Sequence, residues 1–125
     1  MAPSPQRPRC LVLVESSSLR LLVRLILTLE GWDVAELEEA GPPTYQAVIA
    51  DLDCFVWPGD RGRHAIDQAA SYGLPALALT GQDLSRQECA AMGQPVVLLK
   101  PFDLATFVGV LHAWRPRLDP LAAPL

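Results

Sequence analysis

The sequence predicts a single α/β domain built on a parallel sheet with helices on both faces. Short apolar stretches of strand length alternate with segments in which apolar residues recur at helical spacing, an order typical of α/β proteins. Several strands, above all 47–51, are continuous apolar runs, as expected for parallel strands covered on both faces. A chain of 125 residues is long enough for one core and too short for two.

The composition excludes several classes of protein. Half of the residues are hydrophobic and 19% are charged, which is typical of a compact globule and not of a disordered chain. The formal net charge is −4 and no Lys/Arg-rich run occurs, so we expect no nucleic-acid partner. The longest near-apolar window, 19–29, contains two arginines and is too short to span a bilayer. We therefore expect a cytoplasmic protein without a membrane partner.

The cysteines and histidines do not indicate a metal site of their own. The three cysteines are widely spaced, form no Cys-x-x-Cys pair and are expected to be reduced thiols that pack as small hydrophobes: Cys10, Cys54 and Cys89. The two histidines, His64 and His112, are far apart in sequence. We expect both on the surface and assign no chemistry to either.

The first half of the chain supplies three strands and one helix. The apolar strand 10–14 is closed by Glu15, and the serines after it can cap a helix that ends at Gly31. The apolar face expected for this helix comprises Leu19, Leu22, Val23, Ile26 and Leu29. Residues 33–37 alternate polar and apolar, as in an edge strand.

Adjacent prolines follow this second strand and interrupt the pattern. Only about nine residues separate it from the third strand, 47–51, whereas a crossover between parallel strands normally takes a dozen or more. Each proline also bars helical geometry at the residue before it. We therefore expect the helix between strands 2 and 3 to be shortened or missing.

The second half continues the alternation of strands and helices. The expected elements are a helix at 64–72, a strand at 74–79, a short helix from the capping box at 85–88 to about 92, a strand at 95–99 and a last helix from 104 to about 114. Arg115-Pro116 should end the last helix. We expect residues 1–8 to be a flexible leader, 9–115 the folded domain and 116–125 a flexible tail.

Four strands end in a residue whose side chain suits chemistry: Glu15, Asp51, Thr80 and Lys100. In a parallel sheet these ends share one edge, where open α/β sheets place their ligand crevice. Each residue alone has an ordinary explanation as a solvated acid, a strand terminator or a surface cation. All four together predict that side chains scattered over the sequence converge in one cleft.

These motifs resemble the receiver domains of two-component response regulators. The matching residues are Glu15 after Leu-Val-Leu-Val, Asp51 in Val-Ile-Ala-Asp-Leu-Asp, Thr80 in Leu-Ala-Leu-Thr, and Lys100 in Leu-Leu-Lys-Pro-Phe. The resemblance covers nearly the whole expected domain. It implies a doubly wound, five-stranded parallel sheet in the flavodoxin-like order. It also implies a cis peptide between Lys100 and Pro101.

Carried over residue by residue, the resemblance implies a signalling protein that is not itself an enzyme. Asp51 would accept a phosphoryl group from a histidine kinase or phosphotransfer protein, and the modified domain would regulate a protein target. Mg²⁺ and Lys100 would offset the negative charge of the phosphoryl group, and Thr80 would hydrogen-bond one of its oxygens. The implied metal ligands are Glu15, Asp51 and Asp53.

The sequence departs from the family's pattern at several positions. The family usually has two adjacent acids after the first strand, but here Ser16 follows Glu15, and a hydroxyl is a weaker ligand for a hard cation. Val97 stands where the family often has a switch aromatic, and the loop 54–59 is unusually bulky. We therefore expect weak Mg²⁺ binding. The alternative is a pseudo-receiver that acts as a protein-interaction module without phosphorylation.

A phosphatase is the least favoured interpretation. Phosphatases of the haloacid-dehalogenase type use Asp-x-Asp at a strand end, which Asp51-Leu-Asp53 matches, with the first acid as nucleophile and the second as general acid/base. That reaction also needs an acidic pair near the last strand, where Asp103 is a single acid. The motif strand usually comes early in that fold, whereas here it is the third.

The last helix has a broad apolar face that allows two interpretations. Two stripes run side by side along it, one of Leu104, Val108 and Leu111 and one of Phe107, Val110 and Trp114. Either both stripes belong to a wide core face, or one is a hydrophobic partner surface that could support a homodimer.

Overall fold

The computed structural model describes residues 7–35, 44–53 and 61–118. The strands are β1 (Arg9–Leu13), β2 (Asp33–Ala35), β3 (Ala47–Asp51), β4 (Ala76–Thr80) and β5 (Val96–Leu99). The helices are α1 (Ser17–Leu29), α2 (Arg61–Ser71), α3 (Arg86–Ala91) and α4 (Leu104–Leu118). The expected loss of a helix between β2 and β3 falls mostly on 36–43, outside the described residues, and stays a prediction. The same holds for the loop 54–59 and for Cys54.

The five strands form one parallel sheet in the order β2-β1-β3-β4-β5. The predicted doubly wound, flavodoxin-like fold is thereby confirmed. In this order the chain reverses its direction of winding between β1 and β3, which are paired along four residues. Crevices at such a reversal open beyond the carboxyl ends of the strands. The fold therefore places the end of β3, and Asp51 with it, at the site where α/β sheets bind ligands.

Two apolar layers hold the sheet between the helices. Successive residues of β1 and β3 point alternately into one layer and the other, so that Val12 and Ile49 pack with α1 and α4 while Val48 packs with α2. The layer on the α1 and α4 side includes a T-shaped pair of Trp32 and Trp114, with ring centroids 6.1 Å apart. Burial of β3 on both faces fixes its register and so the position of Asp51.

Helix α1 packs partly through the face predicted for it, because Val23 is fully buried and Leu19 and Ile26 pack against the same core. Its N-cap is Ser16 as expected, and Gly31 has the positive φ of 89° that favours glycine after a helix. However, the fully buried residues are Val23 and Leu27, while Leu29 is 75% exposed. Leu22, also assigned to the inner face, is 36% exposed. Apolar residues lie on nearly every side of this helix, so periodicity alone could not show how far the buried face extends.

Helix α4 differs from the prediction in its face and its end. The buried residues of this helix are Phe107, Leu111 and Trp114, whereas Leu104 is 46% exposed. The buried face therefore takes residues from both predicted stripes. The helix also continues to Leu118, past Pro116. A proline removes its own hydrogen bond and crowds the preceding turn, but its φ is helical, so a final turn can still form.

Several further expectations agree with the structure, although α2 begins at Arg61 instead of 64 and β4 begins at Ala76 instead of 74. The capping box of Ser85 and Glu88 makes both of its hydrogen bonds at the start of α3. Both histidines are exposed, and Cys10 and Cys89 are free thiols. Arg7, expected in the flexible leader, instead donates hydrogen bonds to backbone carbonyls in the last turn of α1 and just after it, including a 2.9 Å bond to Thr28. Within the described ranges, no helix combines the length and apolarity needed to cross a membrane.

Candidate functional site

The carboxyl ends of β3 and β5 bring Asp51 and Lys100 into direct contact. The Lys100 Nζ atom lies 2.8 Å from Asp51 Oδ1 and 2.7 Å from Asp51 Oδ2. Asp51 is only 5% exposed, so its charge would be costly without this partner. The predicted convergence of these two residues is confirmed.

Local backbone contacts fix the direction of the Asp51 side chain. Asp51 Oδ1 accepts a 2.8 Å hydrogen bond from the Asp53 N–H, two residues along the turn that follows β3. Gly62, at the start of α2, approaches this strand end so closely that an added Cβ would lie 2.7 Å from the Asp51 carbonyl oxygen. Only glycine fits there without a shift of the backbone. Sequence reasoning missed Gly62, because nothing in the sequence shows which strand a helix start will touch.

Lys100 is positioned by the end of the neighbouring strand and by a turn. Its backbone N–H donates a 2.8 Å hydrogen bond to the Thr80 carbonyl, which continues the β4–β5 ladder to the edge of the sheet. The peptide between Lys100 and Pro101 is cis, as the resemblance implied. The side chain then extends along the sheet edge towards β3, where it reaches Asp51.

Asp53 makes contacts that the sequence did not predict. Its Oδ1 accepts a 2.8 Å hydrogen bond from the Thr80 hydroxyl, and its Oδ2 accepts a 2.6 Å hydrogen bond from the Gly81 N–H. The same Oδ2 lies 3.3 Å from Lys100 Nζ. The carboxylate therefore joins the ends of β4 and β5 to the turn after β3. Sequence reasoning proposed Asp53 as a metal ligand and gave no sign that Thr80 would be its partner.

The charges in this site stabilise one another. Partial burial acts to raise the pKa of Asp53, but hydrogen bonds from Gly81 and Thr80, together with the Lys100 ammonium, outweigh it and hold the pKa below its usual value. For Lys100, burial acts to lower the pKa, but the two neighbouring carboxylates raise it above its usual value. Both groups are therefore charged throughout the physiological pH range.

Only one of the two side chains that follow β1 at the site is acidic, because Ser16 comes after Glu15. Glu15 lies half-buried beyond the end of β1, the strand next to β3. The Ser16 hydroxyl accepts the N–H of Leu19 at 3.4 Å and so serves as the N-cap of α1. This hydroxyl is thus engaged with the helix.

The acidic side chains have the right chemistry for magnesium, but their arrangement does not match a metal site. Carboxylate oxygens are the donors that Mg²⁺ prefers. Within residues 7–35, 44–53 and 61–118, however, no three His, Cys, Asp or Glu side chains gather closely enough to hold a metal ion. Lys100 also contacts both oxygens of Asp51. A divalent ion would require these side chains to rearrange.

Solved structures with a similar fold identify the class to which this architecture belongs. No family model and no curated protein matches the chain. The chemotaxis response regulator CheY4 of Vibrio cholerae is similar, at 24% identity and a TM-score of 0.67 over 86% of this chain and 98% of that chain. This chain has the receiver-domain fold.

Two further structures with the receiver-domain fold give the same result. A response regulator receiver protein from Burkholderia phymatum is 23% identical, with a TM-score of 0.67 over 86% of this chain and 94% of that one. The receiver domain of the sensor histidine kinase PA1611 from Pseudomonas aeruginosa is 20% identical, with a TM-score of 0.65 over 87% and 98%. That receiver domain has a magnesium ion coordinated in its active site cleft. The resemblance stated from sequence is thus confirmed at the level of the fold.

Proposed function

We propose that this chain is a two-component signalling receiver in which Asp51 accepts a phosphoryl group. The observation that carries the proposal is the contact of Lys100 Nζ with both oxygens of a buried Asp51 carboxylate at the crevice edge of the sheet. A carboxylate nucleophile that attacks a phosphoanion needs a fixed positive charge beside it, and Lys100 provides one. The receiver-domain fold supports this assignment.

The proposed reaction is a transfer from a phosphohistidine of a histidine kinase or phosphotransfer protein. An Asp51 carboxylate oxygen forms a bond to phosphorus while the bond from phosphorus to the donor imidazole nitrogen breaks. The imidazole nitrogen keeps the electron pair and takes up a proton. Lys100 remains charged and offsets the added negative charge, while Thr80 is placed to donate its hydroxyl to a phosphoryl oxygen once that hydroxyl is released from Asp53.

Magnesium is the proposed cofactor, with Glu15, Asp51 and Asp53 as its candidate protein ligands. The magnesium in the receiver domain of PA1611 supports the choice of ion. When bound, Mg²⁺ would supply a second positive charge towards the phosphoryl oxygens. The Lys100 contacts and the engagement of Ser16 with α1 favour weak binding. We further propose that the protein is cytoplasmic and is not itself an enzyme.

The contacts of Asp53 argue against a phosphatase. A general acid near neutral pH needs a raised pKa, whereas the donors around Asp53 lower its pKa. The carboxylate is also occupied by Thr80 and Gly81. Asp53 is therefore unsuited to protonate a leaving group.

A pseudo-receiver is the second candidate function. It is favoured by the same Asp53–Thr80 hydrogen bond, because Thr80 is already satisfied without a phosphoryl group. In this alternative the domain binds a protein target constitutively. We propose that three exposed apolar residues contribute to a partner surface: Val96 and Leu99 of β5 and Leu104 of α4. This surface could include a homodimer contact through α4.

Incubation with acetyl phosphate and millimolar Mg²⁺, followed by intact mass spectrometry, tests the proposed function. We expect a gain of one phosphoryl group that is lost in Asp51→Asn. The matched control is Asp83→Asn, which neutralises an exposed acid near the same edge of the sheet and should leave the gain intact. No modification of the wild type would favour the pseudo-receiver, and sustained hydrolysis of p-nitrophenyl phosphate would indicate a phosphatase.

A further inference from the structure

The Asp53 carboxylate gathers three donors of different kinds from three parts of the chain. Thr80 donates a hydroxyl at 2.8 Å, Gly81 a backbone N–H at 2.6 Å, and Lys100 an ammonium at 3.3 Å. The acceptor is a charged carboxylate in all three contacts, and the Gly81 bond is shorter than usual for N–H···O, as expected of a charge-assisted hydrogen bond. The donors at this edge of the sheet are thus already occupied by an anionic group of the chain itself, the Asp53 carboxylate.

These donors are well placed for a phosphoryl group on Asp51. Lys100 Nζ contacts Asp51 Oδ2 at 2.7 Å and Asp53 Oδ2 at 3.3 Å, so the two carboxylates lie on the same ammonium group. A phosphoryl group on Asp51 would bring roughly −1.5 to −2 charge and three strong acceptor oxygens to the place where Asp53 now stands. The same donors cannot satisfy both anions fully, and like charges this close repel.

We propose that the Asp53 carboxylate is an internal substitute for the phosphoryl group, which holds Thr80, Gly81 and Lys100 and must be displaced when Asp51 is modified. The inference rests on the proposed function and adds a regulatory contact to it. Asp53 acts as a positioning residue, because it holds the Thr80 hydroxyl in a hydrogen bond in the unmodified protein. Its displacement opposes phosphorylation, so the contact lowers the affinity of the site for phosphoryl groups.

Beryllofluoride, which binds aspartate carboxylates as a mimic of the phosphoryl group, provides the test. Its dissociation constant is measured at fixed Mg²⁺ for the full chain as wild type, Asp53→Ala and Asp83→Ala. The control removes one negative charge from an exposed position near the site. We expect about tenfold tighter binding in Asp53→Ala, the scale of one charge-assisted hydrogen bond, and no change in Asp83→Ala. Asp53→Asn keeps one acceptor oxygen and should give an intermediate value.

The Gly81 amide resonance gives a readout that does not depend on phosphoryl chemistry. A short hydrogen bond to a carboxylate moves an amide proton downfield, so Asp53→Ala should move this signal upfield, and beryllofluoride should perturb it in the wild type. Unchanged Gly81 resonances in Asp53→Ala would overturn the inference.

The outcomes separate this inference from the proposed function. If the wild type binds beryllofluoride and Asp53→Ala binds it equally well or more weakly, the inference is overturned and the proposed function stands. If the weaker binding of Asp53→Ala is restored at higher Mg²⁺, Asp53 is a metal ligand instead. Binding by Asp53→Ala but not by the wild type would support the inference and explain a pseudo-receiver. Failure of both proteins to bind would overturn both proposals.

Discussion

Lys100 contacts both carboxylate oxygens of Asp51 across 49 positions of sequence, at 2.8 and 2.7 Å. Asp51 is the last residue of β3 and Lys100 follows β5, and β4 lies between these two strands in the sheet. The lysine side chain therefore spans the end of β4, and Thr80 lies beneath that path with only 1% exposure. We expect this ion pair to contribute to the stability of the fold, because Asp51 is buried and Lys100 is its counter-charge.

Replacing Lys100 with methionine should destabilise the protein by about 1–3 kcal/mol, because a buried carboxylate would lose its counter-charge. The figure lies below that for a fully buried pair, since the Lys100 side chain is 28% exposed. Urea denaturation measures the free energy of unfolding. The double variant Asp51→Asn/Lys100→Met should recover part of the loss, and strictly additive effects would show that the two charges do not interact.

Glycine at position 62 should be required for stability. In Gly62→Ala the added Cβ would lie 2.7 Å from the Asp51 carbonyl oxygen, so we expect a loss of roughly 1–3 kcal/mol. The matched control is Gly109→Ala in α4, where nothing lies within 4 Å of the added Cβ. That change should stabilise the protein by about 0.5–1 kcal/mol through helix propensity. Equal effects of the two substitutions would contradict the close approach of α2 to β3.

The lowered pKa of Asp53 predicts a specific loss of stability in acid. The unfolded chain takes up a proton on this residue at a higher pH than the folded protein does, so the contribution is complete above about pH 4 and is lost as the pH falls through the lowered pKa. We expect the free energy of unfolding to fall more steeply below about pH 4 in the wild type than in Asp53→Asn. Urea titrations over this range measure both slopes, and parallel slopes would contradict the prediction.

Helix α4 should show a large difference between its buried and exposed sides. Phe107→Ala removes a side chain with no exposed surface and should cost about 3–5 kcal/mol. Leu104→Ala changes a residue that is 46% exposed and should cost less than about 1 kcal/mol in the monomer. Thermal and urea unfolding compare the two variants. A larger loss from Leu104→Ala at low protein concentration would reverse the assignment of the helix face.

The parts of the fold set by simple patterns could be predicted from the sequence. Continuous apolar runs identified β1, β3, β4 and β5, and the position of Asp51 and Lys100 just at or after such runs placed both residues at one sheet edge. The capping box at Ser85 located α3 because its hydrogen bonds are local. Such features depend on residues close in sequence or on the shared direction of parallel strands.

Other features depend on contacts that sequence patterns do not contain. The buried face of α1 was predicted only in part because leucines surround that helix: Val23 was included, but Leu27 was missed and Leu29 is exposed. The Asp53–Thr80 hydrogen bond depends on side-chain orientations in two separate turns. A carboxylate two residues after a candidate nucleophile has the same sequence pattern as a metal ligand or a general acid. Its actual partners are visible only in three dimensions.

We propose that Asp51, Thr80 and Lys100 form one phosphoryl-binding site. Amide spectra of ¹⁵N-labelled protein, recorded with and without beryllofluoride in millimolar Mg²⁺, test it most directly. We expect the signals of Asp51, Gly81 and Lys100 to shift together when beryllofluoride is added to the wild type, and the signals at these positions to stay unchanged in Asp51→Asn. Unperturbed signals at these positions in the wild type and in Asp53→Ala, or equal shifts in Asp51→Asn, would contradict it.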